Sequence, residues 1–88
     1  VNGKRGAQAV TIYELKPHGS YVVRKPFKDY YGNQFAAGER LTYVQKFFLP
    51  YDGGHTICFE ERRLYLQEEV NVEILDALED YLSPADEV

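Results

Sequence analysis

Turn-forming residues recur so often between Pro17 and Arg62 that the chain has no room for a helical crossover between strands. Pro17-His18-Gly19, Gly32-Asn33, Gly38 and Pro50 to Gly54 each supply a preset φ or a tolerated positive φ. The segments between them are short, aromatic and β-branched, which fits strands. Tyr21 to Lys25 reads as a first strand, ended or placed at an edge by Pro26. Arg40 to Phe48 reads as a longer one. Its apolar pattern slips, with Leu41 and Tyr43 on one face and Val44 opposite, which predicts a bulge or strong bend. His55 to Glu60 and Arg63 to Gln67 make a third and fourth strand around a tight hairpin at Glu61-Arg62. In the fourth, Leu64 and Leu66 share a face and Tyr65 takes the other. Residues 26–38 form a long first loop, which such a domain either uses or packs with its own Phe27, Tyr30, Tyr31 and Phe35. This order predicts an antiparallel sheet curled into a small SH3-like barrel.

The two ends read differently. Residues 1–9 form a flexible lead-in of small and polar residues, and residues 10–15 are too short to assign. The opening Val1, in place of Met, reads as the start of a fragment or processed form. Residues 71–82 carry the pattern of a C-terminal α-helix. Asn71 suits the N-cap, Val70 and Leu75 suit a hydrophobic staple, and Ile74, Leu75, Leu78, Tyr81 and Leu82 form an apolar stripe. Ser83-Pro84 stops the helix and residues 84–88 are an acidic tail. The expected fold is therefore mainly β with one C-terminal α-helix, a single domain over residues 10–83 in which the helix caps the barrel.

Eighty-eight residues allow one domain, and eight Tyr and five Phe supply the bulk that so small a core needs. No apolar run is long enough to span a bilayer, and the single Cys58 rules out a disulfide framework within one chain. The expectation is a soluble cytoplasmic domain. Charge is unevenly placed: residues 1–65 hold all ten basic side chains against six acids, and residues 66–88 hold eight acids and no base. The acidic helix face, through Glu73, Asp76 and Asp80, is a candidate contact for a basic partner.

His55 and Cys58 sit three apart on a strand and so point to opposite faces, and His18 is the one other histidine, so no metal site is expected. The same alternation separates Cys58 from His55 as a nucleophile and base. Asp29, Glu39 and Asp52 fall in or beside loops, where Asp serves turns, and Gly53-Gly54 precedes a strand, which does not make a phosphate loop. No catalytic residue and no cofactor is expected. Arg24, Lys25, Lys28, Lys46, Arg62 and Arg63, with Tyr30, Tyr31 and Phe48 as stacking platforms, could serve single-stranded nucleic acid, but they are scattered and the acidic helix opposes phosphate. The remaining constellation joins the long first loop to the LPYDGG turn. Phe27, Asp29, Tyr30 and Tyr31 would meet Phe48, Pro50, Tyr51 and Asp52 and line a groove for an extended peptide.

The run from Tyr21 to Glu61 resembles a family of short bacterial domains of unknown function. The resemblance rests on Tyr21 and Val23; on Phe27, Asp29, Tyr30 and Gly32; on Gly38-Glu39; and on Phe48 to Asp52 with Gly54, and it extends over residues 13–82. Leu41 departs from the aromatic expected there. The resemblance implies a domain boundary and no mechanism. The expected role is a non-catalytic module that binds a protein or peptide. The alternatives are an immunity-type protein that neutralises a basic partner through its acidic helix, a single-strand binder and, last, an enzyme.

Overall fold

A computed structural model describes residues 11–85. Strand β1 is Ser20–Val23, β2 Phe27–Lys28, β3 Gln34–Phe35, β4 Arg40–Leu49, β5 Gly54–Phe59 and β6 Arg63–Gln67. They are followed by helix α1, Val72–Asp76, a 3-10 turn over Leu78–Asp80, and strand β7, Leu82–Pro84. Five strands form one antiparallel sheet in the order β6-β5-β4-β1-β7, and β2 and β3 form a separate hairpin.

The long first loop holds a hairpin, β2–β3, and a strand, β7, follows the helix, neither expected from the sequence, whereas the mainly β, antiparallel architecture agrees with it. Barrel closure does not: β6 and β7 end the sheet on opposite sides without pairing. In place of closure, the β2–β3 hairpin lies along the edge of β6. Tyr30 N–H donates to Tyr65 O at 2.7 Å and Tyr65 N–H donates to Asp29 Oδ2 at 3.2 Å. That pairing covers an edge which would otherwise present unpaired backbone groups. The bulge falls where the pattern slips, as β4 and β5 change register between Tyr43 and Gln45.

The C-terminal helix is a correction. It spans Val72–Asp76 and not residues 71–82, and Ala77, at φ −131° and ψ 42°, breaks it. A helix this short is marginal on its own, and the chain beyond it gains more by pairing with β1. Leu82 lies opposite Val23, Ser83 opposite Val22 and Pro84 opposite Tyr21, and Leu82 is fully buried. The apolar stripe still reaches the core through Ile74, Leu78 and Leu82, with Leu75 and Tyr81 packed against it. The cap also differs. Asn71 makes no side-chain bond to the helix; its Oδ1 accepts from Gln67 N–H at 2.8 Å, and Val70 is exposed rather than stapled. A rod capping the sheet is therefore replaced by a helical turn, a 3-10 turn and an edge strand.

The core is built from Val23, Leu41, Ile57, Leu64, Leu66 and Phe35, joined by Ile12 and Leu15 of the otherwise irregular entry segment. The lead-in expected over residues 1–9, and residues 86–88 of the acidic tail, lie outside the described residues. Among the described residues, no helix is long and apolar enough to cross a membrane.

Candidate functional site

The two loops expected to meet in a groove have separate environments. In the β2–β3 hairpin, register places Phe27 opposite Phe35, and their rings stack at 5.0 Å. Tyr81 meets Phe27 edge-on at 5.4 Å, so Phe27 is a core residue and not a groove wall. Asp29 is only 5% exposed and is likewise structural. Its carboxylate accepts from Tyr31 N–H at 3.0 Å, Asn33 N–H at 2.8 Å, the Asn33 amide at 3.2 Å and Tyr65 N–H at 3.2 Å. Arg62 holds the far side of the hairpin. Its guanidinium lies 3.8 Å over the Phe35 ring and donates to Gln34 O and to Glu39 Oε2, each at 3.0 Å.

Tyr30 and Tyr31 remain exposed at the hairpin tip. They meet edge to face at 5.2 Å, and Tyr31 meets Tyr65 at 4.9 Å.

The LPYDGG turn is closed by Asp52, which accepts from Gly54 N–H at 3.2 Å, and by Gly53 in the left-handed region at φ 66°. Gln67 ties it to β6 by donating to Asp52 O at 2.7 Å. These contacts fix the turn's backbone and leave its apolar side chains outside. Tyr51 is 100% exposed, Leu49 54% and Phe47 52%. Phe48 lies on the other face of β4 and rests against His55, with ring centroids 4.7 Å apart.

Among the described residues, no ring of the hairpin touches a ring of the turn. They are connected instead across the outward face of the sheet. Phe47 lies opposite Thr56, and Thr56 opposite Tyr65, which Tyr31 covers. Directly opposed residues share a face. Tyr31, Tyr65, Thr56 and Phe47 therefore form one row, with Leu49 and Tyr51 at its open end. The sequence reading omitted Tyr65, Phe47 and Leu49. The signal was present in β6, where Tyr65 alternates against Leu64 and Leu66, and in the Phe47-Phe48-Leu49 run, whose odd members share the outward face.

The acids expected on one helix face are divided by the break at Ala77. Glu73 and Asp76 belong to α1, and Asp80 belongs to the 3-10 turn. Three cations proposed for nucleic acid lie over rings of the domain itself. Lys25 sits 4.6 Å from Tyr81, Lys46 4.8 Å from Tyr13, and Arg62 lies on Phe35.

His55 faces the core side opposite Leu66, whereas Cys58 pairs with Arg63 on the other side of the sheet. The His55 ring is 3% exposed, and its Nε2 lies 3.1 Å from Glu68 Oε2 while Nδ1 has no partner. It borders an open cavity of about 310 Å³ walled by Ile12, Tyr13, Glu68, Val72 and Leu75. Two titrations are shifted elsewhere in the sheet. Burial raises Tyr43, with smaller contributions from Cys58 and Tyr21. The Thr42 N–H, donating to Glu61 at 2.7 Å, lowers the Glu61 carboxyl.

The fold and the outward aromatic row define a small, mainly β domain with an open antiparallel sheet. The chain belongs to the DUF3601 family, a domain of unknown function, whose model matches residues 11–86. The structure is similar to that of an integron cassette protein from the mobile metagenome of Vibrio cholerae, at 23% identity and a TM-score of 0.78, over 91% of this chain and 96% of that one. At that identity the likeness concerns the fold alone. No curated protein matches the chain.

Proposed function

We propose that this chain is a non-catalytic module that binds a protein or peptide through the apolar end of β4 and the aromatic row beside it. One observation carries the reading: Phe47 and Leu49, on the part of β4 that pairs with β5, and Tyr51, in the turn that follows, stand more than half exposed within five residues. A small domain gains nothing in its own core from such side chains, and contiguous exposed apolar surface marks interaction sites. Extended peptides suit such a surface, since backbone pairing supplies affinity and alternate side chains supply specificity. The long first loop and the turn stand at opposite ends of the row, which fits a peptide whose alternate side chains reach the row rather than one held between the loops. The cation–ring contacts favour this over a nucleic-acid role, because they engage Lys25, Lys46 and Arg62 within the domain. The buried free thiol of Cys58 fits a reducing compartment, so we place its action in the cytoplasm.

The test is capture from lysate of the native host on immobilised domain, read by quantitative mass spectrometry. Wild type is compared with the triple variant Tyr31→Ser, Phe47→Ser, Tyr51→Ser. The proposal expects specific partners to fall about tenfold or more, in line with the loss of interface anchors. An unchanged profile with the fold intact would remove it.

A further inference from the structure

Strand β4 is ten residues long but is paired on both sides over only part of its length. β1 covers Arg40 to Thr42, and the contact ends where Tyr43 N–H donates to Gly19 O at 3.0 Å and Tyr43 O accepts from His18 N–H at 2.8 Å. There His18, at φ 68°, turns the chain away. Beyond that point β5 continues to pair with β4 as far as Leu49, while no described strand lies along the opposite edge.

The backbone groups left on this edge can be identified. Phe59 N–H donates to Arg62 O, and Gly53 O accepts from Glu68 N–H. The odd positions of β5 and its preceding turn therefore face β6, and alternation turns Gly54, Thr56 and Cys58 toward β4. Their partners are Leu49, Phe47 and Gln45. Lys46 and Phe48 consequently aim their N–H and C=O groups at the open edge.

We infer that this edge pairs with the same edge of a second copy of the chain, antiparallel about a two-fold axis centred on Phe47. The inference rests on the binding surface proposed above and names its partner. The register follows by eliminating the alternatives. Opposed residues must share a face, so each must pair with one of equal parity. Lys46 must not oppose Lys46 of the second copy, because like charges directly opposite are destabilising. Phe48 must not oppose Phe48, because that places Lys46 against Pro50, which has no N–H to give. A centre on Leu49 fails likewise, since it sets Phe48 against Pro50, and a centre on Gln45 would set Phe48 against Thr42, which β1 covers; what remains sets Phe47 against Phe47, and Lys46 against Phe48 in both directions.

In that register Lys46 and Phe48 exchange N–H···O bonds reciprocally, four in all. The Phe47 pair is then a non-hydrogen-bonded one, in which the side chains approach most closely, at about 4.5 Å between Cα atoms. Gln45 lies opposite Leu49 on the same outward face. The pairing also stops at a dimer. The β6 edge is covered by the β2–β3 hairpin, and the β7 edge is three residues long and ends in Pro84.

Sedimentation velocity across roughly 5 to 500 µM tests this, a range suited to a small interface. Wild type should shift from monomer toward dimer. Phe47→Glu and Phe47→Lys should each stay monomeric, and an equimolar mixture of the two should associate again. Hydrogen exchange on wild type supplies a readout without substitutions: the Lys46 and Phe48 amides should gain protection with concentration while Phe47 N–H, bonded to β5, stays constant. A monomer at every concentration overturns the second-copy pairing and leaves a different protein or peptide as the occupant of the surface. Dimerisation of Phe47→Glu alone overturns the register and the edge as its origin. Concentration-independent protection of Lys46 and Phe48 shows the edge filled from within the chain and equally overturns the pairing.

Discussion

The hairpin over residues 27–35 and the turn over residues 49–54 are built from the same residue types and have opposite fates. Each combines aromatic side chains with an Asp and a positive-φ glycine, Gly32 or Gly53. In the hairpin, Phe27 enters the core and Asp29 gathers four N–H donors. In the turn, Asp52 side-chain oxygen serves Gly54 alone among the described bonds, and Tyr51 is wholly exposed. The difference lies in what each loop covers. The hairpin shields a strand edge and has a neighbour for every buried group. The turn is tied to Gln67 and Glu68 through its backbone, and its apolar side chains cover nothing. Composition alone does not separate a loop that stabilises the domain from one that leaves its apolar side chains exposed.

Substitutions can break that contrast. Phe27→Ala removes a ring stacked between Phe35 and Tyr81 and should cost about 3–4 kcal/mol in urea unfolding, whereas Tyr51→Ala should stay within about 0.5 kcal/mol of wild type. Equal costs would mean that the turn is also packed. Asp29→Ala leaves N–H groups of Tyr31, Asn33 and Tyr65 without their acceptor, and should lower stability by about 2–3 kcal/mol. Asp52→Ala should cost well under half of that. Gly32→Ala and Gly53→Ala sharpen the comparison from the other side. Both sit at positive φ, so each should cost about 1 kcal/mol in either loop, because this penalty is local and indifferent to what the loop covers.

The smallest effect belongs to the turn joining β5 to β6. Thr42 N–H and hydroxyl both bond the Glu61 carboxylate, and the carboxyl titrates below its usual range. A lowered folded value means stability that is present above the ordinary carboxyl range and lost as pH falls through the folded value. Glu61→Gln should therefore melt slightly lower than wild type near neutrality. The two should converge in acid when melting temperature is followed against pH.

Much of this was legible locally. The slip between Tyr43 and Val44 announced the bulge, and alternation placed His55 and Cys58 on opposite faces. The third and fourth strands around the Glu61-Arg62 hairpin also followed from short-range pattern. What was not legible depended on distant pairing. Residues 71–82 have helical spacing throughout, yet the free edge of β1 draws Leu82–Pro84 into the sheet, and the acids meant for one face are split at Ala77. Asp29 reads as a turn residue, and its bond to Tyr65, thirty-six positions on, is invisible in the turn's own sequence. The groove expected between the loops failed for the same reason. Its walls depended on which strand the hairpin would cover.

The central claim is that the apolar end of β4 is exposed for a partner and not for the fold. It is tested most directly by measuring stability and association together in Phe47→Ser. Phe47 is half exposed on the outward face, so unfolding free energy should remain within about 0.5 kcal/mol of wild type while association through this surface is lost. A loss of about 2 kcal/mol or more in stability, with association unchanged, would contradict the account.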